Sequence, residues 1–254
     1  MLEWYWVFVF YLFILHVKAA AVTIYLHRHI AHNSIKLKNS TEACFKFILW
    51  ITLLYFENYK PYYRAQHSKH HEYSDTPLDP HSPHHYTLKQ LFDTHHNEYG
   101  RPYYVSSQDF EKYSKNCVSN PTWLEKKLYH RFQYQGYWIW YPIILFLFGP
   151  IALILSLFIL DKVISQGYII IANYCYHQYG YETKFGNKNQ DQSKNLLPIG
   201  ILFCGEELHS NHHSNPGSPK FSIRWFEFDL GWVYIKILEF FNLLEIKYKT
   251  KQNN

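Results

Sequence analysis

The sequence predicts an all-α fold: an integral membrane helical bundle carrying a cytoplasmic, histidine-rich helical cap. Three observations predict it. Apolar runs at residues 4–26, 142–160 and 163–177 approach the length of bilayer helices, for which about 20 apolar residues suffice. Histidines recur at helical spacing near such runs, as His67-Ser-Lys-His70-His71 and His209-Ser-Asn-His212-His213, while His27-Arg-His-Ile-Ala-His32 follows the first run directly. The polar stretch between them, residues 57–141, carries Pro61, Pro77, Pro80, Pro83, Pro102 and Pro121, which dictates short helices and turns.

With 254 residues, 48% apolar and 20% aromatic, the chain has material for one sizeable domain, residues 1–254, and shows no composition break. A slightly negative mean hydropathy beside strongly apolar windows implies few spans and a large polar cap, residues 27–141 and 178–254, rather than a many-span transporter. Cys44, Cys117, Cys175 and Cys204 are scattered and form no CxxC pair, so neither a disulfide framework nor a thiolate metal site is indicated. The net charge of +5 is dispersed through loops instead of gathered on a stripe, so no nucleic-acid partner is expected.

Taken in chain order, the run 4–26 is interrupted by His16 and Lys18 and leads straight into the first histidine cluster. The start, Met-Leu-Glu, has no basic region and no cleavage site follows, so the run reads as a retained anchor. Residues 44–56, about 13 residues with Lys46 inside, suit an interfacial or re-entrant helix better than a crossing. Residues 142–160 form the clearest span, and after Asp161-Lys162 the run 163–177 completes a membrane hairpin ending at His177. Residues 196–204 are too short to cross. Residues 221–246 alternate aromatics with charge, and 230–244 read as a helix packed on the cap or the headgroups.

Parity follows from those spans. If only the first run and the hairpin cross, all three clusters and His177 emerge on one side, together with 23 of the 25 Lys and Arg residues. The positive-inside rule makes that side the cytoplasm. Positions i, i+3 and i+4 lie within one helical turn, so each HxxHH run is expected to offer three imidazoles to one point. Imidazole suits iron, zinc, copper or nickel. Chance is a poor account of two such runs plus HxxxxH in one chain.

Other candidates weigh less. His81-Ser-Pro-His84-His85 repeats the spacing, but Pro83 breaks the helical face it depends on, so a loop is expected there. His95, His96 and His130 lack partners at ligand spacing and read as surface residues, and His16 as a packed residue. Glu206, Glu207, Asp75 and Asp79 are expected to orient imidazoles through the second ring nitrogen rather than to act as bases.

The pattern HRxxxH, HxxHH, HxxHH resembles the integral-membrane fatty acid desaturases, the superfamily that includes the stearoyl-CoA desaturases, over nearly the whole chain. Asp79-Pro-His-Ser-Pro83, Asn173-Tyr-Cys-Tyr-His177 and Gly205-Glu-Glu-Leu-His209 add to the likeness, and Glu227-Phe-Asp-Leu-Gly-Trp232 is similar to the bacterial acyl branch. The resemblance implies two irons held by His27, His32, His67, His70, His71, His177, His209, His212 and His213, with Asn173 reaching one iron through water. It leaves the division of the nine open, and makes His29 a variable position of the first box. It further implies an oxygen-dependent reaction that introduces a cis double bond into a long-chain fatty acyl group, the delta-9 position being one candidate. Dioxygen is the co-substrate, and electrons come from a ferredoxin, a cytochrome b5-like protein or a reductase. Acyl-CoA members carry arginine after the first histidine of the second box and an Arg-Asp pair before it. Here Ser68 and Ala65-Gln66 stand in those places, with Arg64 one position away, so acyl-CoA and phospholipid both remain candidate carriers. The expected location is a bacterial inner membrane, with membrane lipid as surroundings and the site facing the cytoplasm. A di-iron hydroxylase or alkane monooxygenase is the rival reading, and a non-catalytic histidine-rich metal-binding protein a distant one.

Overall fold

Helix formation begins with the first apolar run. It folds as α1 (Trp4–Ala21) and continues into a π-helical segment, Val22–Ala31, in a computed structural model that describes residues 4–52, 59–91, 105–115, 117, 121–133, 135–160, 163–164, 168–186, 190–197 and 200–247. Among the described residues this is the one helix, Tyr5–Ala31, long and apolar enough to cross a bilayer. Strand β1 (Ile35–Leu37) and helix α2 (Asn39–Ile51) follow. Helix α3 (Tyr59–Tyr73) carries the second histidine box, and its Pro61 sits in the first turn, where a missing N–H costs little.

Helix α4 (Ser107–Ser114) is capped by the Ser106 hydroxyl, which accepts from the Asp109 N–H at 3.1 Å, and it packs on α3. After a π turn at Glu125–Tyr129 and a 3₁₀ turn at Gly136–Ile139 come α5 (Trp140–Phe148) and α6 (Pro150–Phe158). The region expected to form a single span is thus two nine-residue helices. Gly149 adopts φ 86°, a conformation open to glycine, and Pro150 has no N–H with which to carry the helix across the joint. Helix α7 (Tyr168–Gln178) ends the predicted hairpin, while Asp161, Lys162 and residues 165–167 lie outside the described residues.

The last third comprises α8 (Gly200–Phe203), α9 (His209–Ser214), α10 (Leu230–Phe240) and β2 (Leu244–Ile246). The Asp229 carboxylate caps α10 by accepting from the Trp232 N–H at 2.8 Å. Strand β2 pairs antiparallel with β1, Ile35 opposite Ile246 and Leu37 opposite Leu244, which returns the chain to the exit of the first box. Of the expected 44–56 segment, α2 forms to Ile51, and residues 53–58 lie outside the described residues.

Among the described residues, two larger hydrophobic cores and a small one at Ala19 and Cys204 form. Tyr11 and Ile14 of α1 pack with Ile144, Ala152, Leu160 and Ile164. The π segment packs through Ile24, Tyr25 and Leu26 with Leu49 of α2, Tyr59 of α3, Tyr129, Ile235 of α10 and Leu244. Around the first core the outer faces stay apolar: Phe8, Phe13, Phe146, Ile151, Ile154 and Phe158 are all exposed. Inside the second, Glu125 pairs with Lys46 at 3.2 Å and Lys60 at 3.5 Å, tying the π turn to α2 and α3.

Candidate metal centre

Four elements aim nine imidazoles at one region. The π segment brings His27, and the residue that ends it is His32, whose N–H donates to the His27 carbonyl five residues back at 3.0 Å. That bond explains the HxxxxH spacing. In an α-helix, five residues turn through 500°, leaving the two side chains about 140° apart, whereas an i→i+5 helix brings them back to one side.

The nine ring nitrogens fall into two adjoining groups. His27, His32, His67, His71 and His212 form the first, and His70, His177, His209 and His213 the second, with candidate ligand atoms within 4.8 Å of one another in each. In the first, Nε2 separations are 2.9 Å for His27 to His212, 2.7 Å for His32 to His67, 3.0 Å for His67 to His71 and 2.9 Å for His71 to His212. In the second they are 3.2 Å for His70 to His213 and 3.1 Å for His177 to His209.

Here one expectation is corrected: neither HxxHH run offers its three imidazoles to one point. At 100° per residue, positions i and i+4 stand about 40° apart, while i+3 lies about 60° to the other side. So His67 and His71 face the first group and His70 the second, and on α9 His209 and His213 face the second and His212 the first. Two helices, read in opposite senses, thereby serve both groups. Asn173 stands one turn before His177 on α7 and is half-buried.

Behind the rings sit carboxylates. Asp79 faces His70 Nδ1 at 2.9 Å, Asp75 faces His177 Nδ1 at 2.8 Å, Glu206 faces His27 Nδ1 at 2.6 Å, and Asp191 faces His213 Nδ1 at 3.2 Å. Such partners fix ring orientation and leave Nε2 free for a metal. Asp191 escaped the sequence reading, because it lies 22 residues before His213 in a stretch without a motif. Glu207 does not do what was expected of it. Its carboxylate oxygens are buried and meet no side-chain hydrogen-bond partner among the described residues, and burial pushes its pKa up to about 8.

Burial holds the imidazoles of His32, His67, His71, His209, His212 and His213 well below the ordinary histidine range, with neighbouring imidazoles adding to the effect. They are therefore neutral, the state a metal needs. His70 goes the other way: burial lowers its pKa, but the Asp79 carboxylate, with Asp75 and Asp191 behind it, outweighs burial and raises it. Burial acts upward on Asp75, yet hydrogen bonds from His177, Ser82 and the Gln192 N–H bring it down to about 2.

The proline-broken repeat also belongs to the surroundings. His81 stacks on His70 with ring centroids 4.2 Å apart, His84 Nε2 lies 3.0 Å from the His177 carbonyl, and His85 Nε2 lies 3.0 Å from the Asp75 carbonyl. His29 turns away to the Ile35 carbonyl at 3.1 Å, and His16 pairs with the Tyr234 hydroxyl at 2.7 Å. His95 and His96 lie outside the described residues.

Arg28 is fully buried behind the first group. Its guanidinium lies 3.2 Å from Asp229 and 3.4 Å from Glu206, and 3.7 Å over the ring of Phe221, which packs against His212 with centroids 4.6 Å apart. Gly205, at φ 93°, leaves the room that Asp229 needs, since a Cβ there would collide with its carboxylate.

The fold and the site define a helical protein in which nine imidazoles, most of them buried, form a two-pocket centre beside an apolar helix pair. Residues 3–236 match the fatty acid desaturase family, and the chain belongs to that family of oxidoreductases, which desaturate fatty acyl groups. It is similar to Delta-9 acyl-lipid desaturase 1 of Arabidopsis thaliana, 25% identical over 87% of this chain and 68% of that protein. It is 28% identical to Acyl-CoA C20 Delta5-desaturase of Anemone leveillei, over 87% of this chain and 67% of the relative. With sn-1 stearoyl-lipid 9-desaturase of Synechocystis sp. (strain ATCC 27184 / PCC 6803 / Kazusa) it shares 25% identity over 87% of this chain and 65% of that one. The chain thus spans about two-thirds of the length of these relatives.

Proposed function

We propose that this chain is a membrane di-iron desaturase that introduces a cis double bond into a long-chain fatty acyl group, carried on CoA or on phospholipid. The observation that carries the reading is the convergence of nine Nε2 atoms into two adjoining pockets. The donor set fits first-row ions: it is all imidazole nitrogen, and four of the rings are backed by carboxylates. Two ligands at right angles on an ion about 2.1 Å away stand about 3.0 Å apart, and at the tetrahedral angle about 3.4 Å. The closest observed separations, 2.7 to 3.2 Å, are within the range for neighbouring ligands of one ion.

His27, His32, His67, His71 and His212 would hold one iron, and His70, His177, His209 and His213 the other, with Asn173 beside the second set. When bound, the iron pair supplies the redox chemistry with dioxygen that ordinary acid and base groups cannot perform on an unactivated methylene. The chain's own residues do the rest. Asp75, Asp79, Asp191 and Glu206 orient the rings of His177, His70, His213 and His27, and burial keeps His32, His67, His71, His209, His212 and His213 unprotonated. A cleft lined by His71, Ser74, Asp191 and His213 touches both pockets from the surface.

The apolar outer faces of α1, α5 and α6 are read as lipid-facing, with the centre on the cytoplasmic side of a bacterial inner membrane. Two of the similar proteins bear the delta-9 position in their names, and it is the position we assign first. Ferredoxin, a cytochrome b5-like protein or a reductase would supply electrons. Expression in a host lacking desaturases, followed by mass spectrometry of lipid and thioester pools, tests reaction, bond position and carrier together. Unsaturated acyl chains support the reading, and hydroxylated ones alone would overturn it in favour of a hydroxylase.

A further inference from the structure

The two pockets differ in what stands behind them. Three of the four imidazoles in the second pocket face a carboxylate: His70 with Asp79, His177 with Asp75 and His213 with Asp191. Each acceptor is locked in place by other donors. Asp79 accepts from the N–H groups of Asp75 at 2.8 Å and His81 at 3.0 Å. Asp75 accepts from the Ser82 hydroxyl at 2.6 Å and the Gln192 N–H at 2.8 Å. Asp191 accepts from the Ser193 N–H at 2.9 Å and the Ser74 hydroxyl at 3.2 Å. No lysine or arginine among the described residues pairs with any of the three.

The first pocket has one such carboxylate for five imidazoles. Glu206 faces His27, but it is shared with the Arg28 guanidinium and the Thr23 hydroxyl, so its charge is offset at the site. Among the described residues, no carboxylate reaches the rings of His32, His67, His71 or His212 within pairing distance.

We propose that the pockets are unequal in affinity for a divalent ion, the pocket of His70, His177, His209 and His213 filling first and holding its ion more tightly. The inference rests on the two-ion reading of the centre. A bound dication drains charge from the imidazole and acidifies its outer N–H, so an anionic acceptor there strengthens the bond to the metal, and loss of one such partner typically costs about 10–100-fold in affinity. The second pocket has two more of these partners than the first, and they bring full negative charges. Against them the first pocket sets one extra neutral imidazole and an arginine. Asp75, Asp79 and Asp191 are positioning residues here, acting through the rings they face.

The test is titration of the metal-stripped, full-length chain in detergent with Co²⁺ alone, whose visible bands report its ligands, alongside a competing chelator. Two classes of one ion each are expected, at least about tenfold apart. Asp79→Asn should weaken the tighter class about tenfold or more and leave the weaker one unchanged, Asp79→Glu should recover part of the loss, and Glu206→Gln should weaken the looser class alone. Asp191→Asn, at the rim of the pocket, makes the same test if Asp79→Asn fails to fold. Two ions of one class, or a tighter class weakened by Glu206→Gln and untouched by both aspartate variants, would overturn the proposal while leaving the two-ion centre intact. Fewer than two ions on the unaltered chain would overturn both.

Discussion

At the residue scale, function turns on whether a ring nitrogen is neutral, aimed and held. His212 is the most exacting case, since its Nε2 lies 2.9 Å from both His27 and His71. His212→Ala should take unsaturated product to background and lower bound iron, read by elemental analysis, while the protein stays in the membrane. Full product from that variant would remove His212 from the centre. Glu207 makes a pH prediction. The folded chain keeps its proton up to about pH 8, whereas the unfolded carboxyl releases it near 4.5. The folded state therefore binds more protons across that window, and stability is lost as pH rises through it. Glu207→Gln should abolish that loss and raise the thermal midpoint at alkaline pH by at least about 2 °C, roughly the shift per kcal/mol at this size. A midpoint as pH-sensitive as that of the unaltered chain would show that Glu207 finds a partner in solution.

At the element scale, helix type sorts the histidines. A π segment lets residues five apart meet, and an α-helix splits i+3 from the pair i, i+4. The sequence shows the spacings but not which helix type the chain adopts, and the wider winding falls where Ile24, Tyr25 and Leu26 pack into the core. The supporting elements are pinned by charge as well as packing. Glu125 is almost fully buried between Lys46 of α2 and Lys60 of α3, and its neutral variant would remove the carboxylate the two lysines share, leaving Lys46 with Glu42 at 2.9 Å. Glu125→Gln should destabilise the chain by about 2 kcal/mol, the scale for lost hydrogen bonds to a charged group, as a lowered denaturation midpoint. Because α3 carries three of the nine imidazoles, metal retention should fall with it.

At the scale of the whole molecule, the apolar end built from α1, α5 and α6 and the polar end holding the histidines are set against one another along a single long helix. If the apolar end lies in the bilayer, the centre faces one compartment only. Lys236 on α10 has a side chain about half exposed, 53%, and so offers a handle on that compartment. Lys236→Cys should react with a membrane-impermeant thiol reagent in inside-out vesicles and resist it in intact cells, giving severalfold more label in the former. Equal labelling of intact cells would place the polar end outside.

The helical class and the apolar runs were legible in the chain because they depend on period and residue type, which are local properties, whereas the nine candidate imidazoles came as a set from the likeness of the histidine boxes to the desaturase family. His81, His84 and His85 were read correctly as a loop from Pro83, yet their places against His70, His177 and Asp75 were not legible, since those contacts join segments as much as 93 residues apart. The same holds for the split of each HxxHH box between two pockets, for Asp191 behind His213, and for the break of the expected span at Gly149. Spacing fixes the angle between side chains on one helix, but only the crossing of helices decides what each of them faces.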